Sequence, residues 1–513
     1  MKARLAPHRR CALVGFAVAT WLAASVSPAS ATTCTDVCGS SSGNCSIGSL
    51  KTVEDGSVLD CHGRNVTITG FGKLRVTDGD LTLLANDLTI LQGSNGIILA
   101  EEGSEGAIGE INIQLTGNLA LNGKIRANGN HGGGTISIKA DGNISIPDDG
   151  DDGIEADGTD SGASGGEVSL EADGTTTISD PIHVEGATYG ANSGGTIEIR
   201  SGGTITTGTT GHLSAGGRDL GGGSIRLSST GGDVILGEHL VADGRSATGK
   251  GGEIEVTAAG KVQVSQYIEA RGGVNAGGGT GAGGQVTLEA GCGGVVMDPN
   301  GDITVTGGEL TSGQRGGSFE IDSVGPVTMA AGVTIDTHGR APGADAGSVQ
   351  ISTRSTLTAD AILIDAEGSS ASGGHGRGGK VDLTACRAEV KASAVIDARG
   401  YSGGSITIYA QNSPAATGTE PLLVHTGASL RAVGTATARN GSTVLRAHSL
   451  KQGICSNNNA VACWLDTDCT AGCQTGDCLY ANPDTEGLAT QFDLVADRAE
   501  LPGTGASCAT ACQ

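Results

Sequence analysis

A repeat of about 30 residues runs through most of the chain and limits the possible folds more than any other feature of the sequence. Nine of the ten copies contain Gly-Gly, one polar residue and then alternating apolar and polar positions, as in residues 133–138, and the tenth has Ala346-Gly347 in place of Gly-Gly. The first apolar position recurs at intervals of 25 to 33 residues, at Ile136, Val168, Ile197, Ile225, Ile254, Val286, Phe319, Val349, Val381 and Ile406. A period of this length is typical of a solenoid, in which each repeat packs against its two neighbours.

A second motif follows each copy and reads aliphatic, any, small, any, Gly. It begins at Ile125, Ile154, Ile182, Leu213, Leu240, Ile268, Ile303, Ile335, Ile364, Ile396 and Leu430. A weaker alternating stretch lies between the two motifs, as in residues 143–146, 233–236 and 261–264. Alternation over a few residues indicates a half-buried strand, so each repeat is predicted to contain three short strands.

The alternation also predicts how these strands are arranged. Consecutive side chains of a strand point to opposite faces, so the Ile, Val, Leu and Ala positions form an interior. Strands this short become stable when each pairs in parallel with its equivalent in the next repeat. The 90 Gly among 513 residues then belong at corners and in loops of variable length along one edge. The sequence therefore predicts an all-β solenoid.

These motifs resemble the right-handed parallel β-helix of the pectin-lyase-like superfamily, particularly the Gly-rich solenoids of filamentous-haemagglutinin-type surface proteins. The resemblance covers roughly residues 57 to 450, which is about fourteen coils. It implies a right-handed parallel β-helix (solenoid) with about three short strands per coil. A repeat of this kind identifies a fold and not an activity.

Residues 1–31 have the features of a cleavable export signal. Basic residues including Lys2 and Arg4 precede an apolar stretch at 11–24, and residues 29–31 form an Ala-Ser-Ala cleavage site. The mature chain is then expected to begin at Thr32 and to be exported, to the periplasm, the cell surface or the extracellular space. No later stretch approaches the roughly 18 uninterrupted apolar residues of a membrane span, so no transmembrane segment is predicted.

The charge balance argues against some partners. Cleavage after residue 31 removes 4 of the 31 Lys and Arg residues and none of the 55 acidic residues, which leaves a net charge of −28. Nucleic acid and anionic lipid are repelled by such a surface, so no nucleic-acid partner is predicted. The expected partners are extracellular polysaccharides or other surface components. The sequence leaves the oligomeric state open.

Thirteen cysteines of the mature chain are distributed unevenly. Four lie near its start, at Cys34, Cys38, Cys45 and Cys61, and seven near its end, at Cys455, Cys463, Cys469, Cys473, Cys478, Cys508 and Cys512. In an exported protein such clusters favour disulfides over zinc sites. Because the ends of a solenoid expose strand edges, both clusters are predicted to form caps. The expected organisation is a signal peptide at 1–31, a Cys-rich cap with the first coil at 32–64, a parallel β-helix at 65–450 and a Cys-rich module at 451–513.

Outward positions of the second motif supply the candidate functional residues. Outward residues at equivalent positions of successive coils are expected to stack into a column. One predicted column contains Asp336, Asp365 and Asp397, and the neighbouring column contains His338, Glu367 and Arg399. Carboxylates about 5 Å apart repel one another unless a cation joins them or solvent screens them. The predicted metal set is therefore Asp336, Asp365, Glu367 and Asp397, with Ca²⁺ as the ion. The favoured alternative is a solvated acidic face that binds no ion and needs no cofactor.

Two functions remain open. The resemblance implies, as one possibility, a Ca²⁺-dependent polysaccharide lyase or a related glycoside hydrolase, with a catalytic set of Asp336, Asp365, Asp397 and, as base, Arg399. Only 11 residues of the chain are Phe, Trp or Tyr, which leaves few rings for stacking on sugars. The favoured expectation is a secreted or cell-surface, non-catalytic β-solenoid that acts as a scaffold or adhesin-like binding protein.

Overall fold

The computed structural model describes part of the chain. The described residues are 32–77, 79–93, 96–101, 109–148, 150, 153–246, 248–273, 281–308, 315–369, 375–410, 422–434 and 441–447, together with strands at 453–455, 458–463 and 491–496. All of them belong to one compact unit, Thr32–Gln513.

Three parallel sheets, named A, B and C here, form the walls of the unit, and each coil adds one strand to A, then B, then C. Sheet A has 14 strands: Cys45–Ile47, Val66–Ile68, Leu88–Ile90, Leu119–Leu121, Ile144–Ile146, Thr176–Ile178, Ile205–Thr207, Val234–Leu236, Lys261–Val264, Gly294–Met297, Val327–Met329, Thr356–Ala359, Arg387–Val390 and Leu422–Val424.

Sheet B also has 14 strands: Leu50–Val53, Lys73–Thr77, Ile97–Glu101, Lys124–Arg126, Ile154–Glu155, Ile182–His183, Leu213–Ser214, Leu240–Val241, Ile268–Glu269, Ile303–Thr304, Thr334–Asp336, Leu363–Asp365, Val395–Asp397 and Ser429–Arg431. Many of these strands have only two or three residues, so sheet B depends on pairing between coils more than on any single strand.

Sheet C has 15 strands: Ser57–Asp60, Leu81–Ala85, Glu110–Leu115, Thr135–Ala140, Glu167–Ala172, Thr196–Ser201, Ser224–Ser229, Glu253–Ala258, Gln285–Ala290, Ser318–Ser323, Ser348–Thr353, Lys380–Ala385, Ser405–Ala410, Ser442–Ala447 and Gln491–Ala496. A separate antiparallel pair joins Gly453–Cys455 to Asn458–Cys463. The first coil of the solenoid thus begins at Cys45.

The strand register confirms the fold class predicted from the repeat. The first apolar positions after Gly-Gly lie opposite one another in sheet C in unbroken succession, from Ile136 to Ile406. The aliphatic positions of the second motif do the same in sheet B, from Ile125 to Leu430. The protein is a right-handed parallel β-helix with three short strands per coil.

The core is a continuous stack of aliphatic side chains inside the coils. Alternate residues of most strands are buried, as in Thr135–Ala140, where Ile136 and Ile138 are buried and Ser137 between them is partly exposed. Phe319 replaces an aliphatic residue at one coil and is buried between Val286 and Val349. Each such side chain contributes roughly 1.5–3 kcal/mol of hydrophobic stabilisation, which fixes the sheets that carry the surface described below.

The Gly-Gly motif closes the loop between sheet B and sheet C. In eleven coils, from Gly134 to Gly441, the backbone N–H of the second position, which is Gly in all eleven, donates to a carbonyl just after the sheet B strand of the same coil, at 2.6–2.8 Å. The two ends of the loop are therefore held together, and we call this narrow junction the neck. The first position is Gly in nine of these coils and is Ala346 or Asn440 in the other two. A Cβ atom on Gly317 would lie 2.1 Å from the carbonyl oxygen of Gly284 in the preceding coil, so the neck has no room for a side chain.

Of the two Cys-rich ends, the N-terminal cap is described in full. Its helix, Cys34–Cys38, begins with a capping box in which Thr33 and Asp36 each bond the backbone of the other. Disulfides join Cys34 to Cys61 and Cys38 to Cys45, which ties the helix to the first coil. Most of the predicted C-terminal module at 451–513 falls outside the described residues. No helix in the described part of the chain is long and apolar enough to cross a membrane.

Removing the two disulfides separately is expected to have unequal effects. The Cys34–Cys61 bridge spans 27 residues and the Cys38–Cys45 bridge spans 7. Chain entropy predicts that Cys34→Ser/Cys61→Ser lowers the free energy of unfolding of the cap by about 3.5 kcal/mol, against about 2.5 kcal/mol for Cys38→Ser/Cys45→Ser. Hydrogen exchange in the first coil measures both losses. Equal losses would contradict the entropic account.

Candidate functional site

The candidate residues lie on the outer face of sheet B. We define the sheet B ladder as two outward side chains in each coil. The first belongs to the last residue of the sheet B strand, and the second belongs to the residue two positions later in the sequence. The polar members of the ladder include Arg126, Glu155, Asp157, His183, Glu185, Asp243, Glu269, Arg271, Asp336, His338, Asp365, Glu367, Asp397, Arg399 and Arg431. Since neighbouring coils are about 4.8 Å apart, equivalent members of successive coils stack directly on one another.

Register pairing fixes the aspartate column. Asp336 lies opposite Asp365, Asp365 lies opposite Asp397, and Asp397 lies opposite Arg431. In each coil the backbone N–H two residues later donates to an aspartate Oδ1, from His338 to Asp336 at 2.9 Å, from Glu367 to Asp365 at 2.9 Å and from Arg399 to Asp397 at 3.0 Å. The three carboxylates are thereby held in the same orientation.

Arginines occupy the C-terminal end of this column. The Arg399 guanidinium donates from Nε to both oxygens of Asp397 at 2.9 Å, and its Nη2 is 2.7 Å from Asp397 Oδ2. The same Nη2 lies 3.4 Å from Glu367 Oε2, and Arg431 Nη1 lies 4.0 Å from Asp397. Asp397 itself is buried, with 4% of its surface exposed. At this end the negative charges are balanced by the protein.

The other end of the column has a different composition. Donor atoms of Asp336, His338 and Asp365 lie within 4.8 Å of one another, with His338 Nδ1 3.8 Å from Asp365 Oδ2. Arg340 Nη2 lies 3.0 Å from Asp336 Oδ2. Burial raises the pKa of Asp365, and the charges of Asp336 and Asp397 raise that pKa further, while the Glu367 N–H and His338 oppose the rise. The predicted metal set grouped Asp365 with Asp336, Glu367 and Asp397 and did not include His338, which the structure brings to Asp365.

Burial also raises the pKa of Glu367. The Arg399 charge opposes this rise, and the charges of Asp397 and Asp365 reinforce it. The predicted metal set therefore divides in two: Asp336 and Asp365 converge with an imidazole, whereas Glu367 and Asp397 contact Arg399.

Ion pairs between coils also occur in the part of the ladder that precedes Asp336, where the sequence predicted no functional residues. Arg126 contacts Glu155 of the next coil at 2.5 Å, and Arg271 contacts Asp243 of the preceding coil and Glu269 of its own coil, each at 2.8 Å. Arg245 reaches Glu185 across 60 residues of sequence, with Nη1 at 2.7 Å from Oε2. The acidic partners occupy the same motif positions as Asp336 and His338 in earlier repeats, and that repetition is the signal by which they could have been found.

Asp157 is a ladder carboxyl whose pKa is strongly raised. Burial raises its pKa from 3.8 to about 6, the Glu185 N–H and His183 oppose the rise, and the charges of Glu185 and Glu155 add to it. The Glu185 N–H donates to Asp157 Oδ1 at 2.6 Å. One coil earlier the equivalent position is Asn128, whose Oδ1 accepts from the Asp157 N–H at 2.8 Å.

We expect Asp157→Asn to change the pH dependence of stability. Between pH 3.8 and about 6 the folded state holds this proton more tightly than the unfolded state, so stability falls as pH rises through that window. The shift corresponds to up to about 3 kcal/mol. Asp157→Asn should therefore be more stable than wild type at pH 7 and similar at pH 4 in urea unfolding. The exposed Asp141→Asn serves as control. An Asp157 carboxyl titrating near 4 in NMR would contradict this account.

Rings contact one another near the start of sheet B, where His212, His239 and Tyr267 directly precede their strands and His183 ends the strand Ile182–His183. His183 and His212 meet edge to face with ring centroids 4.7 Å apart, and His239 stacks on Tyr267 at 3.4 Å. Burial lowers the pKa of both His212 and His239, which favours their neutral forms. This cluster was not predicted, because the turn residues vary too much between repeats to show a motif.

A shallow groove follows the loop necks from Gly222 to Ser405 across seven coils. Its volume is about 1140 Å³, and its length is about 29 Å at the spacing of parallel strands. Glycines form the floor, and the side chains along it include Glu253, Asp345 and Arg377. The groove offers mainly backbone and short polar groups to a ligand.

Comparisons of this chain with protein families, with curated proteins and with solved structures found no match. The class of the protein is therefore defined by its own architecture, a right-handed parallel β-helix with a disulfide-bonded N-terminal cap.

Proposed function

We propose that the protein is an exported, non-catalytic β-solenoid that acts as an extended scaffold or adhesin-like binding protein. The observation that carries the proposal is the pairing of ladder charges between coils, seen at Arg126, Arg271 and Arg399. Side chains that bridge successive coils stabilise a rod along its length. The three-sheet coil also supports kinship with the pectin-lyase-like superfamily, which is part of this proposal.

The contacts of Arg399 argue against the lyase alternative. Eliminative cleavage of an acidic polysaccharide needs a base within hydrogen-bond reach of the proton that it removes. Arg399 directs Nε and Nη2 at Asp397 and Glu367, which occupy the donors of the proposed base. The same contacts neutralise Glu367 and Asp397, two of the four carboxylates predicted to hold Ca²⁺. The arrangement suits cohesion between coils better than proton transfer.

The expected partners are extracellular polysaccharides or other surface components. The groove along the necks has the length and open form that an extended polymer requires, and its floor of backbone groups suits hydrogen bonding to hydroxyls. The acidic surface of the mature chain, with a net charge of −28, favours neutral or cationic partners over anionic ones.

Incubation of the mature chain with polygalacturonate and alginate, with and without Ca²⁺, tests this proposal. Unsaturated products are followed by ultraviolet absorbance, and binding by co-sedimentation with insoluble polysaccharides. We expect no product and measurable co-sedimentation. The variants are Asp365→Asn and, as a matched control on sheet C, Asp382→Asn. Product formation that Asp365→Asn abolishes and Asp382→Asn leaves intact would establish the lyase alternative instead.

A further inference from the structure

We infer that Asp336, His338 and Asp365 form a binding site for a divalent transition metal, with Zn²⁺ as the ion to test first. The three side chains belong to two adjacent coils and present one imidazole and two carboxylates. Imidazole and carboxylate together are donors that zinc uses in proteins. This inference stands independently of the scaffold proposal, because a rod with or without a partner can carry such a site.

The geometry of the three donors is close to that of a bound ion. Zinc lies about 2.0–2.2 Å from His nitrogen and carboxylate oxygen, so two of its ligand atoms are at most about 4.4 Å apart. His338 Nδ1 and Asp365 Oδ2 are already 3.8 Å apart, and all three donor atoms lie within 4.8 Å of one another. Small side-chain rotations therefore suffice. The strand register and the backbone N–H bonds to Asp336 and Asp365 restrict the backbone and the carboxylates.

The donor set distinguishes among metals. Calcium takes six to eight oxygen ligands at about 2.3–2.6 Å and gains nothing from an imidazole. The carboxylates that would enlarge an oxygen set, Glu367 and Asp397, contact Arg399 instead. Imidazole ligation favours zinc, copper, iron and nickel. Three protein donors leave at least one coordination position for water or for an oxygen of a partner molecule.

Arg340 competes with a metal for Asp336. Its Nη2 donates to Asp336 Oδ2 at 3.0 Å, so a cation bound at that oxygen has to displace the guanidinium. The Arg340 side chain is 36% exposed, so it has solvent to move into. Arg340→Gln removes this competing charge and is therefore expected to tighten metal binding. A gain in affinity is a result that misfolding does not produce.

Calorimetric titration of the folded mature chain with Zn²⁺ and with Ca²⁺ tests the site. We expect one saturable zinc site of higher affinity than any calcium site. His338→Gln and Asp365→Asn should each weaken zinc binding by about 100-fold or more. Removing a group that only hydrogen-bonds to a metal ligand already costs about 10- to 100-fold in affinity. Arg340→Gln should strengthen it. His183→Gln, a histidine of the same ladder, and Glu367→Gln should leave it unchanged, and circular dichroism checks that each variant is folded.

Cobalt absorption adds a readout of the ligands. Co²⁺ bound by the wild-type chain should give visible bands that shift or disappear in His338→Gln and persist in His183→Gln. The assignment is overturned if zinc binding does not saturate, if calcium binds more tightly than zinc, or if His338→Gln leaves zinc affinity unaltered. Loss of zinc binding in Glu367→Gln or His183→Gln would equally overturn it, because the donors would then be other residues.

Discussion

Gly317→Ala should destabilise the solenoid by about 3 kcal/mol or more, the upper part of the range for overpacking a close contact. The added Cβ atom would lie 2.1 Å from the carbonyl oxygen of Gly284 and 2.9 Å from the backbone of Gly283. Both neighbours are backbone atoms of a paired coil and have no rotamer to change. The neck hydrogen bond from Gly317 N to Val305 O, at 2.6 Å, must lengthen or break.

Hydrogen exchange is the appropriate measurement for this variant. Each coil contacts its neighbours, so a defect at one neck should lower protection in the flanking coils first and divide the cooperative unit there. Gly48→Ala is the matched control, because its Cβ would meet only Thr69 Oγ1, at 3.8 Å. A Gly317→Ala protein with unchanged protection in the strands Gln285–Ala290 and Ser318–Ser323 would contradict the account of the neck.

The sequence was sufficient to predict the coils that contain a neck. There the second residue of the motif lies against a backbone in every turn and has no room for a side chain, so Gly recurs at that position from Gly134 to Gly404. The residue before it is also Gly in every coil of this range except that of Ala346. Inward positions must likewise be aliphatic, so Ile136 and its equivalents mark the register. A constraint that recurs in every coil becomes visible as a repeat.

The first coils do not show the Gly-Gly motif in the sequence, because their chain forms no neck. Sheet B strand Leu50–Val53 is followed at once by sheet C strand Ser57–Asp60, and Lys73–Thr77 by Leu81–Ala85. With no loop to close, no glycine pair is needed, and alternation alone in such short strands is a weak signal. The structure therefore extends the solenoid to Cys45, before the region where the motifs are recognisable.

The partners of the ladder residues were harder to predict than the ladder itself. The column of Asp336, Asp365 and Asp397 follows from spacing alone, since register sets it. The ion pairs depend on where long side chains turn after leaving the strand. Arg245, for example, extends from a loop to Glu185, 60 residues earlier in the sequence. Spacing gives the position of such a residue but not the direction of its guanidinium.

Arg399→Leu is expected to lower the free energy of unfolding by about 3 kcal/mol, because it leaves a buried carboxylate without its main partner. Asp397 is 4% exposed, and three of its closest charged contacts come from Arg399, at 2.7–2.9 Å. Arg431, at 4.0 Å, is too distant to replace them. Urea unfolding measures the loss. Lys139→Met is the control, since Lys139 and Glu171 form a pair between coils at 2.6 Å that is about half exposed and worth less than about 1 kcal/mol.

A double variant distinguishes a structural role of Arg399 from a catalytic one. In Arg399→Leu/Asp397→Asn both charges are removed, so the penalty of an unpaired buried carboxylate disappears and part of the lost stability should return. The coupling energy from the double-mutant cycle then measures the strength of this pair within its own coil. If Arg399 were instead the base of a lyase, Arg399→Leu would abolish polysaccharide cleavage while leaving stability near that of wild type. A stability loss that Asp397→Asn partly reverses identifies Arg399 as the structural partner of the buried Asp397 carboxylate and not as a catalytic base.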